Sequence, residues 1–479
     1  MLKRILKLLF AALLLLIIIV LIQTFRFTKE IPHTKAFAIP ALNDSSIAHI
    51  SEAIQIKTIS INNNAAIDTA AFTAFRIFLE KSYPLVHQHL QRTIINHFSY
   101  IYYWQGKNNS LPPYILMAHS DVVPVEASSE NLWLAPPFSG KITDTAIWGR
   151  GAIDDKGCLI SIMEAVEKLL SENYQPERSF YLSFGHDEEL GGERGTAQIV
   201  KWMEQNKVHP ALVSDEGGII TKDNFKDLGR PIALLGVSEK GLVSFELSVE
   251  KEGGHSSMPA KETAIDILTK ALVKIREEQM PVHFTTPTNA MLNKIGPGLG
   301  FTTRMALANR WLFEPLLVKQ LEGSNGTNAT IHTTIVPTIV DAGIKDNVVP
   351  STAKAIVNSR ILPGETTTDV LAFLKKKIND DRVLIKITPP FSEPGKTTEI
   401  NGPAYKIAEQ ATYKVMDDVV PVPFLMIGAT DSRYYRSIAD AVIEYSPMLD
   451  PKGFHGLNER IGLQDLQRLI FYYQLILKQ

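Results

Sequence analysis

Carboxylates and imidazoles stand along this chain in short glycine-bounded runs, and most of these runs follow a stretch that reads as a strand. His119-Ser120-Asp121 closes the apolar run Tyr114–Ala118. An imidazole there can ligate a metal, with a nearby carboxylate fixing its tautomer and orientation. The loop Gly149-Arg150-Gly151-Ala152-Ile153-Asp154-Asp155-Lys156-Gly157 can turn sharply and presents carboxylates just before a helix, where an aspartate also serves as an ordinary N-cap. Asp187-Glu188-Glu189 sets three like charges side by side. Water solvates such a run on a surface loop. A divalent cation would instead reverse the repulsion, letting one carboxylate ligate while its neighbour handles protons. Asp215-Glu216 follows another strand, and His455, in Phe454-His455-Gly456-Leu457-Asn458-Glu459, offers a second imidazole. Each run alone is a plain loop. Together they supply His, Asp, Glu, Asp and His, a mixed nitrogen and oxygen set that suits two zinc ions sharing a bridging carboxylate. Cys158 is the single cysteine, which excludes a Cys-rich zinc module and any intramolecular disulfide.

Such groups need a scaffold that brings distant loops together, and the pattern describes one. Tyr114–Ala118, Phe180–Phe184 and Ala211–Val213 read as short buried strands, while Leu159–Leu170 and Gln198–Gln205 carry helical spacing. This is an α/β layout, and in open α/β sheets ligands bind at the strand ends. Beyond Gly236 the texture changes. Leu242–Val249 alternates with period two, Thr263–Arg276 and Thr367–Ile378 read as helices, and Ala353–Ile361 and Val383–Ile387 as strands. These predict a smaller α+β domain inserted into the first, which Ala404–Val415 and Val422–Met426 then resume. Residues 284–326 carry few signals and are not placed.

Hydrophobic residues make up 45% and charged residues 21% of the 479, which excludes general disorder. Lys plus Arg number 49 against 51 Asp plus Glu, so no overall electrostatic footprint for nucleic acid exists. Leu8–Ile22 is unbroken apolar sequence preceded by Lys3, Arg4 and Lys7. Gln23-Thr24-Phe25-Arg26-Phe27 follows it without the small residues that cleavage needs, and Ala36-Phe37-Ala38 lies too far on. The expectation is an uncleaved single-pass anchor in a lipid bilayer, with a cytoplasmic N-terminus and the bulk of the chain extracytoplasmic. Cleavage as a signal peptide is the competing reading. The expected division is an anchor at 1–26, a tether at 27–44, a catalytic domain at 45–235 and 389–479, and an inserted domain at 236–388.

The segments MAHSDVVPV, WGRGAIDDKG, GHDEELGGERG, SDEGG, GGHSSMP, NSRILPGE, GATDSRYYR and FHGLNERI resemble the aminoacylase/carboxypeptidase family of di-zinc metallopeptidases. They run in family order from about residue 45 to the last residues, and are most similar to the carboxypeptidase S and N-acyl-amino-acid hydrolase branch. The resemblance implies a zinc-peptidase-like domain, with a central mixed sheet flanked by helices, and an inserted α+β lid that pairs two chains as a homodimer. It implies two Zn2+ per chain, with His119 and His455 as terminal ligands and Asp154 as the bridge, Asp155 being the extra acid. Glu189 and Asp215 would complete the shells, with Glu216 competing for the place of Asp215. Asp121 would orient His119, and Glu188 would be the general base and acid. His255 of the lid would help hold an oxyanion. Asn347 and Arg360 would hold a substrate carboxylate, for which the planar guanidinium fork is suited. Gly428 and Asp431, in GATDSR, would face the substrate.

The expected activity is hydrolysis of an amide bond next to a free carboxylate, in a small peptide or an N-acyl amino acid. A di-zinc aminopeptidase is one alternative, disfavoured by Arg360 and the inserted domain. A non-catalytic binding protein on the same scaffold is the other, disfavoured by the full ligand set together with Glu188.

Overall fold

A computed structural model describes residues 1–28, 31–62, 65–222 and 228–479. The chain forms two compact units, one of Glu30–Val237, Thr398–Phe424 and Thr430–Gln479, the other of Met1–Lys29, Ser238–Thr397 and Leu425–Ala429.

The first unit is built on an eight-stranded mixed sheet. Its order is Gln91–Ile95, Ser99–Trp104, Phe180–Gly185, Tyr114–His119, Leu212–Thr221, Val442–Leu449, Ile232–Glu239 and Val420–Met426. Tyr114–His119 runs parallel to both of its neighbours, which buries it on two faces. The strand period then sorts its side chains. Tyr114, Leu116 and Ala118 enter a core shared with Leu159, Met163 and Val166 of the helix Lys156–Ser171. Ile115 and Met117 enter a second core on the other face, with Ile199, Val200 and Met203 of the helix Thr196–Gln205. His119, buried and at the strand's end, is thereby held between two packed layers.

Two expectations change here. The strand expected at Ala211–Val213 runs instead over Leu212–Thr221, so Asp215 and Glu216 lie within it and not after it. Parallel pairing with Val442–Leu449 and an antiparallel return strand at Ile232–Glu239 prolong it. Residues 31–43 carry no helix or strand, yet they are held to this unit. Arg230 donates to the carbonyls of Ile31 and Pro32, Phe37 N–H to that of Lys414, and Gln467 to that of Pro40.

The second unit contains a four-stranded antiparallel sheet ordered Thr334–Ala342, Thr352–Ile361, Gly241–Glu250 and Val383–Ser392. Val243, Phe245, Leu247 and Val249 alternate along one strand and meet Ile267, Leu268 and Ile275 of the helix Ala264–Glu277, and Val370 and Leu374 of the helix Thr367–Ile378. Both helices start with a capping box, Thr263 with Asp266 and Thr366 with Asp369, which satisfies the first free amides. The stretch without sequence signals is helical, at Thr286–Ile295, Phe301–Ala308, Arg310–Leu321 and Asn325–Ala329. Leu2–Arg26 is one helix, long and apolar enough to cross a membrane.

Candidate metal centre

Asp154 is the centre of the arrangement. Its Oδ1 lies 3.0 Å from His119 Nε2, and its Oδ2 lies 2.6 Å from His455 Nε2. The two imidazoles thus address different oxygens of one buried carboxylate. The loop that carries it turns at Gly149 and Gly151, both at positive φ, and a Cβ on Gly151 would sit 2.5 Å from Val122 Cγ1. A glycine is therefore required at that position.

Around Asp154, two groups of three converge among the described residues: His119, Asp154 and Glu216, and Asp154, Glu189 and His455. Glu216 Oε1 is 3.1 Å from His119 Nε2, and Glu189 Oε2 is 3.3 Å from His455 Nε2. Asp215, expected as a ligand, is not in either group. Its Oδ2 accepts the Ser432 N–H at 3.1 Å. The reason is strand parity. Adjacent residues of a strand face opposite ways, and Asp215 shares the side of Val213, with Tyr435 and Ser432, which leaves Glu216 on the side of His119.

The remaining groups hold the cluster in place. Asp121 is fully buried, and its carboxylate accepts the N–H groups of Glu188 (3.1 Å) and Glu189 (3.3 Å) and the Ser60 hydroxyl (2.7 Å). It also stands 3.4 Å from His119 Nδ1, whose closer partner is the Asp121 carbonyl at 3.0 Å. Glu188 Oε2 reaches within 4.0 Å of His119 Nε2 and belongs to neither group of three. Asp155 is buried and takes the His119 N–H at 3.3 Å. Asp431 is buried against the acidic turn, where a Cβ on Gly192 would fall 2.0 Å from its carboxylate.

Sequence reasoning missed Arg150 and Glu459. The Arg150 guanidinium binds Glu459 Oε2 at 2.5 Å and donates to the carbonyls of His455 and Gly456, while Glu459 Oε1 accepts the Ile153 N–H at 3.0 Å. One buried ion pair thus ties the His455 loop to the Asp154 loop. Both residues stand inside the motifs WGRGAIDD and HGLNE, so the signal was an opposite-charge pair 309 positions apart. Glu459→Ala leaves the Arg150 charge buried without its counter-ion, and such a loss costs about 3 to 5 kcal/mol. Denaturant melts of the variant should show a destabilisation of that order.

The electrostatics are those of a crowded acidic site. Burial pushes Glu188 well up, aided by Asp431, Glu216 and Glu189, against the opposing pull of His119. Burial and Asp154 push Glu216 up to about 8. Burial opposes ionisation of Asp154, but His119 and His455 outweigh it and hold its carboxyl below the usual range. Asp154 and Glu189 together raise His455 to about 10. Buried Asp154 Oδ2 has no aligned hydrogen-bond donor despite the close imidazole, and neither has buried Glu189 Oε1, the oxygen farther from His455. Two imidazoles with three carboxylates, two of whose oxygens are unsatisfied, fit divalent cations of the zinc type.

The other expected site residues belong to the second unit. His255 pairs with Val348 in a two-stranded ribbon, next to Asn347, whose carbonyl accepts the Ser256 N–H. Exposed His255 accepts the Ser257 N–H on Nδ1 at 3.1 Å, which puts the proton of the neutral ring on Nε2. Arg360 is half-buried on Thr352–Ile361, opposite Leu242, and its charge adds to burial in lowering Lys240 to about 7. Gly428 is exposed, in the segment Leu425–Ala429.

Residues 115–479 match Peptidase family M20/M25/M40. A "Probable carboxypeptidase S-like 2" of Dictyostelium discoideum is 36% identical, over 96% of this chain and 91% of its own. An "N-fatty-acyl-amino acid synthase/hydrolase PM20D1" of Xenopus tropicalis is 37% identical, over 88% of this chain and 84% of its own. Among solved structures, an M20 family metallo-carboxypeptidase from Sulfolobus solfataricus superposes with a TM-score of 0.66 at 19% identity, covering 91% of this chain and 99% of its own, a likeness of fold.

Proposed function

This chain belongs to Peptidase family M20/M25/M40, and from that membership we propose that it is a di-zinc enzyme hydrolysing the amide bond of an N-acyl amino acid or small peptide next to a free carboxylate. The observation that carries the reading is Asp154, with one carboxylate oxygen at each of two imidazoles. His119, Asp154 and Glu216 would hold one ion, and Asp154, Glu189 and His455 the other. Bound zinc would supply Lewis-acid polarisation of a carbonyl and a lowered pKa for water. Asp121 keeps the His119 ring and the Glu188–Glu189 turn in fixed positions. Glu188 sits beside the ligands without joining them, so its carboxylate is left to take a proton from the attacking water and return it to the departing amine. Burial raises its pKa above the ordinary carboxylate range, which suits a group that must donate as well as accept a proton. Arg360 and Asn347 would recognise the substrate's carboxylate, His255 would donate from Nε2 to the developing oxyanion, and Gly428 would leave room for the substrate.

Purified full-length protein should contain two zinc ions per chain. It should also hydrolyse members of a panel of N-acyl amino acids and dipeptides, and lose that activity in chelator. One ion or none at full activity would refute the two-metal centre, while cleavage of dipeptides with a free amine and an amidated carboxyl, and of none of the N-acyl amino acids, would make the enzyme an aminopeptidase.

A further inference from the structure

The helix Arg310–Leu321 is apolar nearly all round, with Arg310, Glu314, Lys319 and Gln320 its only polar side chains. A surface helix in water normally hides one apolar stripe and wets the rest. Here Leu317 alone is buried. Trp311 is 60% exposed, Leu316 58%, Leu312 38%, and Phe301 of the preceding helix 46%.

What adjoins this face identifies its occupant. Buried Asn309 donates to the Val20 carbonyl at 3.1 Å and to Thr24 Oγ1 at 3.2 Å, both in the N-terminal helix. Trp311 Nε1 donates to Gln23 Oε1 at 3.1 Å, and the Phe25 and Phe301 ring centroids lie 6.3 Å apart. The Phe27 ring covers Gly296 so closely that a Cβ there would lie 2.6 Å from it. The N-terminal helix has 25 residues, about 37 Å at 1.5 Å per residue, against roughly 30 Å for a hydrocarbon core. Its last turns, where all these contacts are made, therefore fall at the bilayer surface. Residues 286–321 carry four basic side chains (Lys294, Arg304, Arg310 and Lys319) against Glu314 alone, a bias that suits the phosphate groups of lipids. Tryptophan, with an apolar body and one N–H, is the residue favoured at that depth.

We propose that residues 286–321 dock on the bilayer beside the N-terminal helix, seating Phe301, Trp311, Leu312 and Leu316 at the boundary between headgroups and acyl chains. This rests on reading Leu2–Arg26 as a retained span. The soluble portion would then be held against the membrane by a surface as well as by a single helix.

The test uses the full chain in vesicles of phosphatidylcholine and phosphatidylserine, with and without bromine on the acyl chains near the headgroup. Bromine should quench most of the Trp311 emission, obtained as the difference between the wild type and Trp311→Phe, a substitution small enough to keep the fold. Alkaline carbonate should leave both proteins with the vesicles. Equal fractional quenching of both, with the chain still retained after carbonate, would overturn the docking, keep the anchor, and leave the face to a protein partner. Release by carbonate would overturn the anchor and the docking together.

Discussion

Glu188→Gln is expected to lower kcat by roughly 10²- to 10⁴-fold, the usual worth of a positioned proton-transfer group, while both metal ions stay bound. The geometry makes the expectation specific. Glu188 Oε2 is 4.0 Å from His119 and lies outside both groups of converging donors, whereas Glu189 Oε2 is 3.3 Å from His455 and inside one. Glutamine keeps the shape of Glu188 and removes its ability to take a proton. Glu189→Gln should behave differently, losing metal affinity along with turnover. Steady-state kinetics and metal analysis on the two variants give the answer. Near-normal turnover in Glu188→Gln, combined with lost turnover and full metal in Glu189→Gln, would exchange the two roles.

Glu216→Gln should strip the ion addressed by His119 and reduce kcat/KM on the order of 10³-fold. Lewis-acid stabilisation by a catalytic metal is worth several kcal/mol, and each 1.36 kcal/mol is a factor of ten. Asp215→Asn should retain both ions, because that carboxylate accepts the Ser432 N–H and faces away from His119. Metal content per chain separates the two. Loss of an ion from Asp215→Asn with Glu216→Gln fully loaded would return Asp215 to the ligand set.

The elements legible in the sequence were those with a clear period and a punctuated end. Thr367–Ile378 stands where its spacing predicts, bounded by a capping box. The Tyr114 strand ends at His119 because its apolar run stops there. Residues 286–321 stayed illegible for the opposite reason. An all-round apolar helix has no period to read, and Gly296, Pro297, Gly298, Gly300 and Pro315 mimic loop signals. The strand through Asp215 and Glu216 was read short because charged residues look like an exit from a sheet, whereas pairing with Val442–Leu449 before and after them carries the backbone through.

The donor types and their order were in the sequence: two imidazoles, a glycine-framed aspartate and an acidic pair, whose chemistry follows from residue identity alone. Which of Asp215 and Glu216 faces His119 was not, since neighbours in sequence become opposites in a strand and only the packed sheet sets the face that each presents. The tertiary structure alone likewise joined Arg150 to Glu459 across 309 positions. Such a pair has no local signature, and its strength comes from a burial that the rest of the fold must first create.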